Sequence, residues 1–235
     1  MAIKMNYLAA VYAISAALSA QAAVSNGDFE TGNLTGWTPI GAAHAATSSI
    51  SVTPPQGTYQ AYIDNTGNFS AAASAVATSL GVSGSSILAL GAGTPTTGSA
   101  ISQDITILAG DVLAFDWNFL TDEHDEALQY NDFAMFTISS TANFLASRDS
   151  TFSTLNLVSP PPGFDGQTNY ATQNYTFTSP GTYKIGFAVF NVGDAGHNSV
   201  LLLDSVAVTP EPTMLTMLAL SSVCLLRRGR SPQAR

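Results

Sequence analysis

The sequence predicts an all-β protein, an antiparallel β-sandwich of jelly-roll type, and three features of the chain support this class. Short apolar bursts recur through the middle of the chain, and several alternate apolar and polar residues as half-buried strands do. Gly, Pro, Asn and Asp separate these bursts, which is typical of strands joined by tight turns. Residues 23–208 are enough to bury one full core without disulfides, so we expect a single domain there.

Eight segments are predicted to form strands. They are residues 49–53, 61–63, 101–107, 111–120, 132–138, 174–178, 181–192 and 199–208. The fourth segment contains AFDWNFL, in which Phe115, Trp117 and Phe119 fall on one face of a strand. Asp116 and Asn118 fall on the opposite face, so this pattern predicts a strand with one solvent-facing side.

One stretch, NFSAAASAVATSLGVS, favours a helix. Its apolar stripe consists of Phe69, Ala73, Val76 and Leu80. Gly81 supplies a stop signal at the end of this stripe. The rest of the domain is predicted to consist of strands, turns and loops.

Charge is distributed unevenly along the chain. Fifteen of the sixteen acidic residues lie between residues 23 and 209, where Arg148 and Lys184 are the only basic residues, so this part carries a formal charge of about −13. A surface this acidic argues against nucleic acid as a partner, because binding it needs basic side chains that displace counterions. It suits divalent cations, or simply keeps molecules apart by repulsion.

The N-terminal segment MAIKMNYLAAVYAISAALSAQA predicts a secretory signal peptide over residues 1–22. Lys4 precedes an uncharged, Ala-rich run, and the closing Ala-Gln-Ala has the small residues that signal peptidase reads. A short N-terminal membrane anchor is the alternative. The only cysteine, Cys224, lies beyond the domain, so we expect neither a disulfide nor a catalytic thiol in the exported part.

The C-terminal stretch TPEPTMLTMLALSSVCLLRRGR has three parts. Pro210, Glu211 and Pro212 come first, and the prolines break any continuing strand. The uncharged residues 214–226 follow, and as a helix they would cover about 20 Å against about 30 Å of bilayer hydrocarbon. Arg227 and Arg228 come next, and they would stay on the cytoplasmic side.

These three parts, within residues 209–230, resemble the PEP-CTERM sorting signal, a region also labelled an ice-binding protein C-terminal region. The resemblance implies transient insertion of a short transmembrane helix into the inner membrane and cleavage there by an exosortase. It also implies delivery to the cell surface or the extracellular matrix of an exopolysaccharide-producing bacterium. Residues 231–235 form a tail beyond the point where such signals often stop. A permanent tail anchor is the alternative.

NGDFETGNLTGW, at residues 26–37, resembles the opening strand and turn of galactose-binding-like and carbohydrate-binding-module jelly rolls, and SVLLLDSVAV resembles their last strand. This resemblance implies that the two segments lie side by side, and that an early Glu and a late Asp hold a structural Ca²⁺. Carried over by position, the ligands are Glu30 and Asp204, with Asp28 as a weaker third, and carboxylate oxygens suit this ion. The alternative is that Asp204 caps a turn.

A second calcium hypothesis comes from the acidic turn TDEHDE. The candidate ligands are Asp122, Glu123, Asp125 and Asp132. Because carboxylates this close repel one another, some should gain affinity for a proton or a cation. The spacing differs from the EF-hand pattern, and a solvated acidic turn between two strands is the alternative.

Sugar binding needs aromatic platforms beside polar groups, because sugar rings stack on aromatic faces while their hydroxyls need partners. Trp37 above all is expected in the core. Among the tyrosines, Tyr130 and Tyr170 lie in loop contexts beside asparagine, so they are the candidate platforms for a ligand.

The sequence predicts a protein that is not an enzyme. It contains neither a GxSxG elbow nor an HExxH zinc motif, and the acidic turn offers a glycosidase no more than any acidic loop would. We therefore expect an exported envelope or matrix protein, processed by signal peptidase and an exosortase, with a structural or binding role associated with exopolysaccharide. A carbohydrate-binding, lectin-like module is the alternative, and a polysaccharide-acting hydrolase is a third hypothesis.

Overall fold

The computed structural model of the chain describes residues 24–123, 130–150, 160–193 and 196–210. Two six-stranded antiparallel sheets pack face to face in this part of the chain. The prediction of an antiparallel β-sandwich is therefore confirmed. The predicted signal peptide, Asp125 and the sorting signal beyond Pro210 lie outside the described residues.

Sheet A has the strand order β1-β5-β11-β7-β8, with β4 beside β5. Its strands are β1 (Thr38–Ile40), β4 (Ala71–Ala72), β5 (Pro95–Ile107), β7 (Phe133–Ile138), β8 (Thr141–Ser147) and β11 (Gly181–Val192). Sheet B has the order β10-β6-β12-β3-β2, with β9 beside β6. Its strands are β2 (Ala42–Ala46), β3 (Gln60–Asp64), β6 (Val112–Thr121), β9 (Gly166–Gln167), β10 (Ala171–Thr176) and β12 (Ser199–Thr209).

Aromatic side chains fill the core between the two sheets. The Phe115 ring of β6 lies 4.8 Å from that of Phe187 on β11 and 5.2 Å from that of Phe136 on β7, in edge contacts. Trp37 stacks on Phe29 with ring centroids 5.7 Å apart, and its Nε1 donates to a backbone carbonyl at 3.0 Å. The expectation that Trp37 lies in the core is confirmed, because this indole is buried and its one donor is satisfied.

Two short helices, α1 (Ala73–Leu80) and α2 (Gly84–Leu88), cover the outer face of sheet A. The predicted helix is confirmed as α1, and Gly81 ends it in the left-handed conformation at φ 76°. Gly186 lets α1 approach the sheet, because a Cβ there would lie 2.5 Å from Cδ2 of Leu80. The placement of Phe69 on the buried stripe is wrong: it lies in a turn before the helix and is 72% exposed.

Seven of the eight predicted strands correspond to strands of the structure. The prediction for residues 49–53 is wrong, because Ser48–Ile50 form a 3₁₀ turn. The hydroxyl of Thr47 accepts a hydrogen bond from the Ser49 N–H, and Ser51 adopts a left-handed conformation at φ 63°. These local side-chain and backbone preferences compete with strand pairing, and in this segment they produce a turn in place of a strand.

The outer face of sheet B is largely covered, so the prediction of a solvent-facing side on β6 is wrong for Asn118. Its side chain is 1% exposed and hydrogen-bonds to Gln167 of β9 and to Thr168, which follows that strand. Beside it, an apolar cluster on the same face packs under two returning loops. The cluster consists of Leu120, Val200 and Leu202, and the residues packed against it are Ile50, Val52, Tyr62, Phe164 and Tyr170.

The opening segment forms turns and not the strand that the resemblance implied. It does lie beside the last strand, since the Val206 N–H donates to the Gly27 carbonyl at 2.9 Å. The approach is so close that a Cβ on Gly27 would lie 2.0 Å from the Val206 carbonyl oxygen, which requires glycine at this position.

Among the residues described above, no helix is both long enough and apolar enough to cross a membrane.

Candidate functional site

The strand register of sheet B places several polar and aromatic side chains on its outer face. In one row across the strands, Tyr62 of β3 lies between His44 of β2 and Leu202 of β12. In the next row, Asp204 of β12 faces Asp116 of β6, which in turn faces Thr172 of β10. Because alternate residues of a strand point to the same side, this face gathers groups that are distant in sequence.

His44, Tyr62 and Asp64 form what we call the aromatic patch, at the β2 edge of sheet B. The His44 and Tyr62 rings lie 4.9 Å apart, tilted by 36°, with His44 exposed and Tyr62 half-buried. Burial, and secondarily the charge of Asp64, raises the pKa of Tyr62 to about 12, so its hydroxyl stays protonated. The patch therefore combines ring faces, a hydroxyl and a carboxylate.

Tyr170 is held across the middle of the same face. Its hydroxyl donates to the side-chain oxygen of Gln60, whose amide donates in turn to the Val52 carbonyl at 2.9 Å. Burial, with the charges of Asp204 and Asp116, raises the pKa of Tyr170 well above its usual range. The ring thus closes the face between β3 and β6 and ties the loop before β3 to the sheet.

Asp204 lies fully buried beneath this loop. Its Oδ2 accepts from the Gln56 N–H at 3.2 Å, and its Oδ1 accepts from the Ser205 N–H at 2.6 Å. Burial, with the charges of Asp116 and Glu30, raises its pKa to about 6 against the opposing effect of these hydrogen bonds. On the β10 side, the Thr172 hydroxyl donates to Asp116 at 2.6 Å.

Glu30 binds the same loop from the other side. Its Oε1 accepts from the N–H groups of Thr58 and Tyr59, both at 2.8 Å. Gly57, at φ 60°, lies flat against this carboxylate, and a Cβ there would lie 2.3 Å from Oε1. Glu30 and Asp204 together therefore clamp residues 56–59 through backbone N–H groups.

The proximity of Glu30 and Asp204 agrees with the calcium hypothesis, but their bonding partners do not. Calcium takes carboxylate and carbonyl oxygens, whereas here three N–H groups of the loop point at the two carboxylates. Asp28 is exposed and accepts one long bond, from the Glu30 N–H at 3.3 Å. Within the described ranges, no three His, Cys, Asp or Glu side chains are arranged to hold a metal. Calcium at Glu30, Asp204 and Asp28 stays a prediction.

The second set of predicted calcium ligands lies at one end of the sandwich, and its described members have different partners. Asp132 is buried, with its Oδ2 accepting from Asn65 at 2.6 Å and its Oδ1 from the Val192 N–H at 2.9 Å. Glu123 is also buried, and its backbone carbonyl accepts from Nε of Arg148 at 3.2 Å. These contacts tie loops together around a buried polar network.

Asp122 lies at the same end, near a histidine. Its Oδ1 lies 3.6 Å from Nδ1 of His197 and also accepts from the Asn198 N–H. Burial raises the pKa of Asp122, with a contribution from the charge of Asp165, although the Asn198 N–H and His197 oppose this shift. Asp125 lies outside the described residues, so the acidic-turn hypothesis stays a prediction.

The tyrosines predicted as sugar platforms are both partly covered. Tyr130 lies against Gly193, where a Cβ would lie 2.2 Å from Cδ1 of the ring. Tyr170 donates its hydroxyl to Gln60, as described above. Of the predicted sorting-signal residues, Pro210 ends the described chain, and Glu211, Pro212, Arg227 and Arg228 lie beyond it.

Sequence reasoning missed the His44–Tyr62 pair. AHAAT gives a strand signal too weak to identify β2, so the sequence alone assigns no binding role to His44. The pairing depends on the β2–β3 register, which puts His44 opposite Tyr62. The alternation of side chains in YQAYID was the one sequence signal that indicated which face of β3 carries Tyr62.

Comparisons with known proteins identify no family. No family model matches the chain, and no curated protein matches it. Among solved structures, TmCBM61 in complex with β-1,4-galactotriose is similar at 14% identity and TM-score 0.43, over 82% of this chain and 100% of that one. The K1 cleaved adhesin domain of Lys-gingipain from Porphyromonas gingivalis W83 is similar at 16% identity and TM-score 0.42, over 78% and 95%.

A carbohydrate-binding module of the CBM4 type is similar at 12% identity and TM-score 0.32, over 74% of this chain and 94% of that one. Similarity at this level carries no conclusion about the ligand or the activity of this chain.

The Glu30 clamp predicts how substitutions change stability. Glu30→Ala should lower the free energy of unfolding by about 1–3 kcal/mol, because two backbone N–H groups lose a charged acceptor. Glu30→Gln should cost much less, since its amide oxygen can accept both bonds. Urea unfolding measures both variants, and Asp28→Ala is the matched control. A melting temperature that falls on adding EDTA, with Glu30→Gln as damaging as Glu30→Ala, would establish calcium instead.

The titration of Asp204 predicts that the free energy of unfolding of the domain declines as the pH rises. Its pKa is about 6 in the folded protein and 3.8 in the reference state, so between these values the folded protein holds a proton that the unfolded chain has released. The free energy of unfolding should therefore fall by up to about 3 kcal/mol between about pH 4 and pH 7. Thermal unfolding across this range should show a weaker decline in Asp204→Asn, and an unchanged decline in the exposed control Asp104→Asn. If the wild type and both variants lost stability equally over this pH range, titrating groups other than Asp204 would be responsible for the decline.

Proposed function

We propose that this domain binds carbohydrate through the aromatic patch on the outer face of sheet B. The observation that carries the proposal is the His44–Tyr62 pair, two aromatic rings whose centroids lie 4.9 Å apart on the outer face of a sheet whose other side is the core. Sugar rings present C–H faces that stack on aromatic rings, and their hydroxyls need polar partners close by. The Tyr62 hydroxyl and the Asp64 carboxylate supply such partners.

The surrounding structure supports a rigid site of this kind. Tyr62 packs against the apolar cluster under the loop of Ile50 and Val52, so its ring is held in place while part of the residue remains exposed. The loop itself is tied to the sheet through Gln60 and Tyr170. A preorganised platform loses little conformational entropy when a ligand binds.

We further propose that the domain is exported and sorted to the cell envelope or the exopolysaccharide matrix. This rests on the signal-peptide pattern of residues 1–22 and on the PEP-CTERM-like parts of residues 209–230. Polysaccharide in that matrix is then the natural ligand of the aromatic patch. The role that we propose for the patch is binding.

Tyr62→Ala and His44→Ala should each weaken glycan binding by about tenfold or more, because each removes one stacking surface. Glycan arrays identify a ligand for the wild-type domain, and isothermal titration calorimetry with that ligand compares the variants. Phe144→Ala is the matched control, since Phe144 is an aromatic residue of sheet A that is 41% exposed. Glycan binding that both patch variants retain, or a wild-type domain that binds no glycan, would refute the proposed site.

The sorting proposal predicts the ends of the mature protein. Mass spectrometry of the product from its native cells should find an N-terminus near residue 23 and a C-terminus close to the Pro-Glu-Pro motif. Replacing Pro210 and Pro212 by alanine should leave the C-terminal segment uncleaved. A native product that retains Arg227 and Arg228 would point to a permanent anchor.

A further inference from the structure

The charges around the aromatic patch have one sign. Asp64 extends from the same strand face as Tyr62, and its charge contributes to the raised pKa of that tyrosine. One Asp64 oxygen accepts the Thr66 N–H, and its Oδ2 has no hydrogen bond with the part of the chain that the structure describes. Further across the face, Asp116 is half-buried, and Asp204 is buried beneath the covering loop.

Both basic residues of the domain are used elsewhere. Lys184 belongs to β11 of sheet A, and its Nζ donates to the Ser79 carbonyl of α1 at 3.1 Å. Arg148 is buried at one end of the sandwich, where it donates to the Glu123 carbonyl and pairs with Asp149 at 2.9 Å. Since residues 23–209 contain no other Lys or Arg, sheet B offers no Lys or Arg side chain to an acidic ligand.

We propose that the aromatic patch selects its glycan by charge: it binds sugars that carry a free amino group best, tolerates neutral sugars and rejects uronic acids. This inference rests on the proposed sugar-binding function and names the class of sugar. A protonated amine gains a favourable contact with Asp64 while its ring stacks on His44 or Tyr62. A uronate carboxylate in the same place meets Asp64 with no Lys or Arg side chain to offset the repulsion.

The distribution of polar partners supports the same order of preference, with amino sugars first, neutral sugars second and uronic acids last. The carboxylate and the ring faces lie within two residues of one strand, so one sugar unit can reach both. A neutral sugar keeps the stacking contact and can donate a hydroxyl hydrogen bond to Asp64, without the charge. The preference for an amine is electrostatic, so it should weaken as salt is added.

The test compares three oligosaccharides of equal length with the full domain: glucosamine, N-acetylglucosamine and galacturonic acid oligomers. Isothermal titration calorimetry at about pH 7 and low ionic strength should rank them in that order, with about a tenfold gap between the first two. Raising the salt should narrow this gap. Galacturonate binding as tight as glucosamine binding, or a gap that salt does not change, would overturn the inference.

Variants separate this inference from the proposed function. Asp64→Asn should remove most of the preference for glucosamine, so that the glucosamine and N-acetylglucosamine oligomers bind this variant with similar affinity. Asp104→Asn is the matched control, because it removes the same charge from an exposed position on sheet A. If Tyr62→Ala abolishes binding while Asp64→Asn leaves the preference intact, the patch binds sugar but the charge selection is wrong. If no oligosaccharide binds, or Tyr62→Ala binds as the wild type does, the proposed function itself fails.

Discussion

The arrangement of sheet B depends on how the loop before β3 is held down. Glu30 and Asp204 come from opposite ends of the domain, and both accept backbone N–H groups of residues 56–59. This contact joins the opening segment, the last strand and the loop in one place. Because the loop covers the middle of the sheet, it decides which side chains remain accessible, and it leaves the β2 edge open.

Holding a loop with a buried carboxylate costs free energy, because the charged form of the group is removed from water. Removing Asp204 from water favours its protonated form, which explains the raised pKa despite two N–H donors. Asp116 and Glu30 add repulsion because the neighbourhood holds no compensating cation. The clamp therefore stabilises the loop through directed hydrogen bonds and destabilises it through charge, and the balance depends on pH.

Much of the fold could be predicted from the sequence, because alternation and turn residues report local geometry directly. The long strands β5, β6, β11 and β12 all carried that signal. The error at Asn118 comes from tertiary covering, whereas the errors at Phe69 and at residues 49–53 come from local turns. The alternation in β6 predicts a solvent-facing Asn118, but Gln167 and Thr168 cover this side chain in the folded protein. The helical stripe predicts a buried Phe69, but the chain turns before the helix begins and leaves this residue exposed. No local pattern reports a loop that returns from 50 residues away.

The candidate site was less predictable for the same reason. Tyr130 and Tyr170 sit beside asparagine, which suggested open loops, yet both rings lie against the protein. His44 and Tyr62 meet only through the β2–β3 register, and strand order and register are not local properties. The proximity of Glu30 and Asp204 followed from a resemblance of two short segments, although the nature of their contact did not.

The two helices on sheet A have a consequence for how the domain would act in a polymer network. They occupy the outer face of that sheet, and Val76 and Leu80 seal it against Phe133 and Phe190. A single molecule then offers its aromatic patch from one side alone. If the patch binds polysaccharide as proposed, a single molecule would attach to one polymer strand and would not bridge two, so stiffening a gel would require molecules joined in pairs.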